Sequence, residues 1–149
     1  MQDPVTSNPN YSEGKKIVLN IMCAQLMVSE QFYEILKPLD LSPEQFNVLR
    51  ILRGAKGEPV NMSVIQERMI AKTSNTTRLV DKLLLKEFVT RMICPGNRRK
   101  MEITITEKGL EALKELDPKV DAHEAEFAKR LDTKEQQQLN LLLEKFRGL

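Results

Sequence analysis

Arg78 and Lys82 lie three and seven residues after Asn75, a spacing that stacks the three side chains on one face of a helix. Arginine can donate two parallel hydrogen bonds to guanine, asparagine can pair in a similar way with adenine, and lysine meets phosphate as a point charge. Ser74, Thr76 and Thr77 fall at the start of the same helix, where unpaired backbone N–H groups and hydroxyls favour an anion. A solvated face capped by Ser and Thr would read the same way, so this helix alone does not decide. A second group follows in Arg98, Arg99 and Lys100, beside Pro95-Gly96-Asn97. Three like charges in a row repel one another, and no fold needs them at a turn. Arginines on a protruding hairpin suit the narrow, electronegative minor groove of a duplex.

The elements needed to hold these residues can be read from periodicity. From Lys15 to Lys37, Ile17, Ile21, Ala24, Val28, Phe32 and Ile35 recur at spacings of three and four, and Val18, Met22, Leu26 and Met27 widen the stripe. A helix this apolar needs cover on more than one side, which points to a partner subunit. Ser42-Pro43-Glu44-Gln45 predicts the next start, with Ser42 as N-cap, Pro43 in the first turn and Gln45 closing a capping box. Phe46, Leu49 and Leu52 form its buried face, and Gly54 to Pro59 read as a loop. A short helix is predicted to Ile70, then a tight turn over Ala71 to Ser74, then a helix from Ser74 to Lys86. Val89 to Cys94 and Met101 to Ile105 change to period two around a turn at Pro95 to Arg99, which predicts a hairpin. Helix resumes near Glu107, with Pro118 expected to kink or break it. Asp132-Thr133-Lys134-Glu135 opens the last helix. Two helices joined by a turn and followed by a hairpin make a winged helix-turn-helix, so the fold class is mainly α with a small β wing.

The composition locates the charge. The 149 residues carry 23 Lys and Arg against 21 Asp and Glu, a formal net charge of +2. Between Asn61 and Ile105, nine cations face four anions, a net of +5 that leaves −3 for the rest. The positive charge is concentrated where the two basic groups lie. Two cysteines, Cys23 and Cys94, are too few for a disulfide scaffold and read as reduced thiols. The apolar run Ile17 to Val28 contains Asn20 and Gln25 and is too short to span a bilayer. No targeting segment is evident, so a cytoplasmic location is expected. His123 is the only histidine, which argues against a multi-histidine metal site, and it reads as a solvated or interface residue. No cofactor loop or nucleophile motif is present, so neither cofactor nor enzymatic activity is expected.

Leu41 to Phe46, Thr77-Arg78-Leu79-Val80-Asp81-Lys82-Leu83, Val89-Thr90-Arg91 and Asn97-Arg98-Arg99 through Thr106-Glu107-Lys108-Gly109 together resemble the MarR family of bacterial transcriptional regulators. The resemblance covers nearly all of the chain after a flexible leader at residues 1–14. It implies a single domain over 15–149, with dimerisation helices at 15–37 and 107–149 around a DNA-binding region at 42–106. It further implies a homodimer on a pseudo-palindromic operator, acting as a repressor released by a small, often phenolic, effector. An effector pocket would then lie between the dimer helices and the reading head, with Leu26, Phe32, Phe46 and Arg50 as lining candidates on helical spacing. Ordinary packing competes with that role.

Two departures from the family pattern stand out. Asn97 replaces the usual Asp that helps fix the wing arginine matched by Arg99. Glu87 replaces the usual Gly after the recognition helix, so that helix end is expected to differ. Cys23 lies near the reactive cysteine of peroxide-sensing relatives. Alignment on Lys37-Pro38 instead places Met22 at that position, so a buried interface thiol is the stronger reading and a redox-sensing repressor the alternative. A protein-interaction adaptor built on the same winged helix is the other alternative.

Overall fold

The computed structural model describes residues 2–149, the side chain of Arg98 excepted. Helix α1 spans Glu13–Leu36, and a single 3-10 turn, Lys37–Leu39, follows. Helix α2 is Pro43–Gly54, strand β1 Val60–Asn61, helix α3 Met62–Arg68 and helix α4 Thr76–Leu85. Strands β2, Val89–Cys94, and β3, Asn97–Ile105, precede helices α5, Glu107–Ala128, and α6, Thr133–Phe146.

The start of α2 forms as its sequence predicts. The Gln45 amide donates to Ser42 Oγ at 3.1 Å, and the Ser42 amide donates to Gln45 Oε1 at 3.1 Å. Pro43 fills the first helical position, where its missing N–H costs nothing. Phe46, Leu49 and Leu52 on α2 are buried together with Ile65, Met69, Val80, Leu83 and Ile103. Leu113 and Leu116 of α5 close this core from the other side. The sheet is antiparallel with strand order β1-β3-β2, so the wing has three strands rather than two. Val60 pairs with Ile103 and Asn61 with Glu102, which binds the entry to α3 to the wing.

Several local expectations change. Pro118 lies inside α5 without breaking it. Both Pro118 and Lys114 face solvent, so the carbonyl that loses its N–H partner stays hydrated, while buried Leu113, Leu116 and Val120 hold the helix on the core. The hairpin turn is only Pro95-Gly96, with Cys94 paired to Asn97, so Arg99 and Lys100 lie on the strand rather than in the turn. Glu87 adopts φ 61° and gives the helix end that glycine usually supplies. Its amide bonds Leu84 O at 3.0 Å and the Phe88 amide bonds Leu83 O at 3.0 Å, the paired bonds of a left-handed helix cap. Thr106 Oγ1 donates to Glu87 O at 2.7 Å and so fastens this cap to the start of α5.

His123 is buried rather than solvated. Its Nε2 lies 3.2 Å from Val28 O, and its ring packs between Phe32 and Phe127, at centroid distances of 5.7 and 5.1 Å. By contrast, α1 buries only Leu36, and α6 buries no residue.

Candidate nucleic-acid interface

Apart from the exposed Leu85, helix α4 has a buried face and a polar one. Thr76, Val80 and Leu83 are buried against α2 and α3, with Leu79 and Leu84 beside them. At 100° per residue, Asn75, Arg78 and Lys82 fall within an arc of roughly 60° on the opposite side. All three are exposed. Asn75 is the N-cap, and its Oδ1 accepts the Arg78 amide at 3.1 Å. That leaves the carboxamide N–H groups of Asn75 to face outward as donors. Thr77 is exposed in the first turn but outside this arc.

Two of the helix-start residues take other roles. Ser74 precedes the helix, and its amide closes the turn by donating to Ala71 O at 3.1 Å. Thr76 points inward and is only 4% exposed, with its hydroxyl donated to Gln66 Oε1. The same Gln66 donates through Nε2 to Lys72 O, so one carboxamide of α3 holds both the turn and the first residue of α4. The Ile70 amide donates to Asn47 Oδ1 at 2.9 Å, which ties the turn to α2. Gln66 and Asn47 are positioning residues that the sequence did not reveal. A lone Gln or Asn on a polar helix face carries no spacing signal.

The wing is set against α4 by an ion pair between Arg91 Nη1 and Asp81 Oδ1 at 2.9 Å. This pair uses one cation of the head to fix the angle between ribbon and helix. Further out, Asn97 Oδ1 accepts the Arg99 amide at 3.0 Å, so the uncharged residue still shapes the backbone that carries Arg99. Arg99 and Lys100 are exposed, in the stretch of β3 where the register with β2 shifts between Ile93 and Cys94. The side chain of Arg98 lies outside the described residues.

Phe32, Phe46 and Arg50 do come together. They line a cavity of about 180 Å³ whose far wall is Met69, Ile70 and Ala71 at the start of the helix-turn-helix turn. The two rings meet edge-on at 5.4 Å, and the Arg50 guanidinium lies 5.8 Å from the Phe46 centroid. Leu26 does not join them and remains 57% exposed on α1. Cys23 and Cys94 are both free and half-buried. Among the described residues, no group of His, Cys, Asp and Glu is placed to hold a metal ion, and no helix is long and apolar enough to cross a membrane.

The MarR family model matches residues 41–101, from the start of α2 into the wing. The chain is 32% identical over 120 residues to the uncharacterized HTH-type transcriptional regulator YkoM of Bacillus subtilis (strain 168), covering 79% of this chain and 75% of that protein. Among solved structures, a MarR mutant from E. coli complexed with operator DNA superposes with a TM-score of 0.79 at 23% identity, covering 93% of this chain and 99% of that one. The organohalide sensing RdhR transcriptional regulator in its 2,4-dichlorophenol bound form gives 0.84 at 16% identity, covering 99% and 89%.

Proposed function

The chain belongs to the MarR family, and from that premise we propose a homodimeric repressor that reads a pseudo-palindromic operator and is released by a small aromatic effector. The observation that carries this reading is the outward arc of Asn75, Arg78 and Lys82 on a helix otherwise packed into the core, with Arg99 and Lys100 on the adjoining ribbon. In this mechanism α4 enters the major groove. Arg78 donates to a base edge, Asn75 offers its remaining N–H groups, and Lys82 neutralises a backbone phosphate. The wing carries Arg99, and with it Arg98, toward the neighbouring minor groove. Thr77 and the half-buried Ser74 meet phosphate at the edge of the contact. Thr76 contributes only by positioning the helix.

The effector is assigned to the Phe32, Phe46 and Arg50 cavity. A dry cavity of about 150 Å³ accommodates benzene, so about 180 Å³ suits a single substituted ring. The rings of Phe32 and Phe46 would face the aromatic body, and Arg50 a phenolate or carboxylate. Occupancy would press on Ile70 and Ala71, whose backbone leads directly into α4. The relative bound to a chlorophenol supports an effector of this class.

Footprinting on the DNA upstream of the gene tests the main reading. Protection of two half-sites about one helical turn apart is expected. Arg78→Ala should cost about 1–3 kcal/mol and relax preference at one position. Lys82→Ala should reduce the log–log salt slope by about one. Weak, salt-independent interaction with every duplex would overturn the proposal.

A further inference from the structure

A second cavity, of about 470 Å³, lies at the other end of α4 and shares no residue with the aromatic one. Its walls bring together the end of α1, the turn after it and the last turn of α4. Three lysines line it, Lys37, Lys82 and Lys86, against one acidic residue, Asp40. Lys86 is fixed in place, with Nζ 3.1 Å from Asp40 Oδ2 and 3.4 Å from Leu39 O. Lys37 reaches only Glu34, at 4.0 Å, and both side chains are well exposed, so solvent screens that pair. Among the described residues Lys82 has no ion-pair partner. The remaining surface is apolar, formed by Leu41, the Tyr33 ring and Leu85. Leu85 is 86% exposed on an otherwise well-partitioned helix, and nothing in the fold requires an apolar side chain there.

We propose that this cleft binds a small organic anion, an apolar body bearing a phosphate or carboxylate, with Lys37 and Lys82 on the oxyanion and Leu85 and Tyr33 against the body. A volume of this size is that of a metabolite site rather than of a single phosphate. Because Lys82 also belongs to the outward arc of α4, an anion held here competes with a backbone phosphate for the same ammonium. That second step rests on the function proposed above; binding of the anion does not.

The test is titration of the DNA-free protein with phenyl phosphate, followed by amide chemical shifts. Saturable binding is expected, with shifts in the segments around residues 33–42 and 82–86 that persist in Arg50→Ala. Affinity should fall about tenfold in Lys37→Ala and in Leu85→Ser, while Arg50→Ala in the other cavity leaves it unchanged. Lys37 and Leu85 are exposed, so both variants should melt as the wild type does. Inorganic phosphate should bind at least several-fold more weakly. Non-saturable shifts, or wild-type affinity retained in either variant, would overturn the assignment. Inorganic phosphate binding as tightly as phenyl phosphate would also overturn it, and would make the cleft a bare subsite for the duplex backbone. With the other cavity disabled by Arg50→Ala, phenyl phosphate added to a preformed complex with duplex DNA should release the DNA, and about tenfold more should be needed once Lys37→Ala is added; release at equal concentration with and without Lys37→Ala would overturn the shared role of Lys82.

Discussion

Replacing Glu87 with glycine should make the protein more stable, although it removes an ion pair. Glu87 lies at φ 61°, and the two 3.0 Å bonds that close the end of α4 depend on that left-handed backbone. A side chain there crowds the following carbonyl, at a cost of roughly 1–2 kcal/mol. Glycine removes the crowding but gives the unfolded chain more freedom, an offset of about 0.5–1 kcal/mol. The lost pair is with Lys108 at 3.4 Å, between groups 80% and 58% exposed. At that exposure it contributes only a few tenths of a kcal/mol. The balance is a gain of about 0.5 kcal/mol, or ~1–2 °C in Tm for a chain of this size. Glu87→Ala keeps the crowding and loses the pair, so it should fall slightly below wild type. Glu87→Asn should lie between alanine and glycine, because its short polar side chain tolerates the left-handed region. The assay is thermal and urea unfolding at one fixed protein concentration, since association shifts Tm by mass action. A glycine variant no more stable than the alanine variant would refute the reasoning, because the cap geometry would then carry no strain.

Other substitutions probe the same frame. Gly109→Ala would place a Cβ 2.4 Å from Phe88 O and 2.8 Å from Ile105 Cγ1. The backbone at Phe88 is held by the Thr106 amide at 3.0 Å and cannot give way easily, so a loss of about 2–3 kcal/mol in urea unfolding is expected. Thr76→Val keeps the buried shape but removes the hydroxyl bonded to Gln66, and should lower the unfolding free energy by about 1 kcal/mol, read as a lower urea midpoint. A drop in DNA affinity with an unchanged midpoint would instead make Thr76 a groove contact. Glu126 should titrate below the usual carboxylate range, because Lys129 donates a 2.6 Å hydrogen bond to it and adds its charge. Its contribution is therefore present above the unfolded pKa and is lost as pH falls through the lower folded one. In Lys129→Met, the Glu126 carboxyl shift followed by NMR should return to the usual range.

Sequence patterns revealed the elements that repeat or that begin with a distinctive cap. The Ser42-Gln45 box, the two-faced α4 and the alternating β3 all carry periodic or paired signals. Strand β1 has two residues, too few for any period, and it forms because Val60 pairs with Ile103, 43 positions further along the chain. Thr76 shows a different limit. A threonine at a helix start reads equally well as a phosphate ligand or as an inward hydrogen-bond donor, and only the position of Gln66 decides. Glu87 and Pro118 each break a local rule because a longer-range contact overrides it, the Thr106 hydroxyl in one case and the buried stripe of α5 in the other. Phe32 and Phe46 are lining candidates on helical spacing for a pocket that the family resemblance implies, and the structure brings the two rings together. Leu26, six residues before Phe32 on the same helix, is turned about 120° from it and stays exposed.

The apolar faces of α1 and α6 supply the last and most direct test of assembly. Met22, Leu26, Leu142 and Phe146 are each more than half exposed, and α1 and α6 enclose an apolar groove of about 610 Å³ floored by Ile17, Leu139 and Leu142. A solitary subunit seldom leaves so continuous an apolar surface in water. In a twofold dimer, any substitution on this surface enters the interface twice. Leu142→Asp would forfeit about 1 kcal/mol of apolar burial per copy. Desolvating the new carboxylate would cost about 1–3 kcal/mol more per copy. The combined loss of roughly 4–8 kcal/mol corresponds to a dimer weakened by about 10³-fold or more. Sedimentation should therefore show a dimer for the wild type and monomer for Leu142→Asp at low micromolar concentration. A variant that stays dimeric would move the interface elsewhere. A wild type that sediments as a monomer would remove the two-headed reading of DNA altogether, because one α4 and one wing cannot span two half-sites.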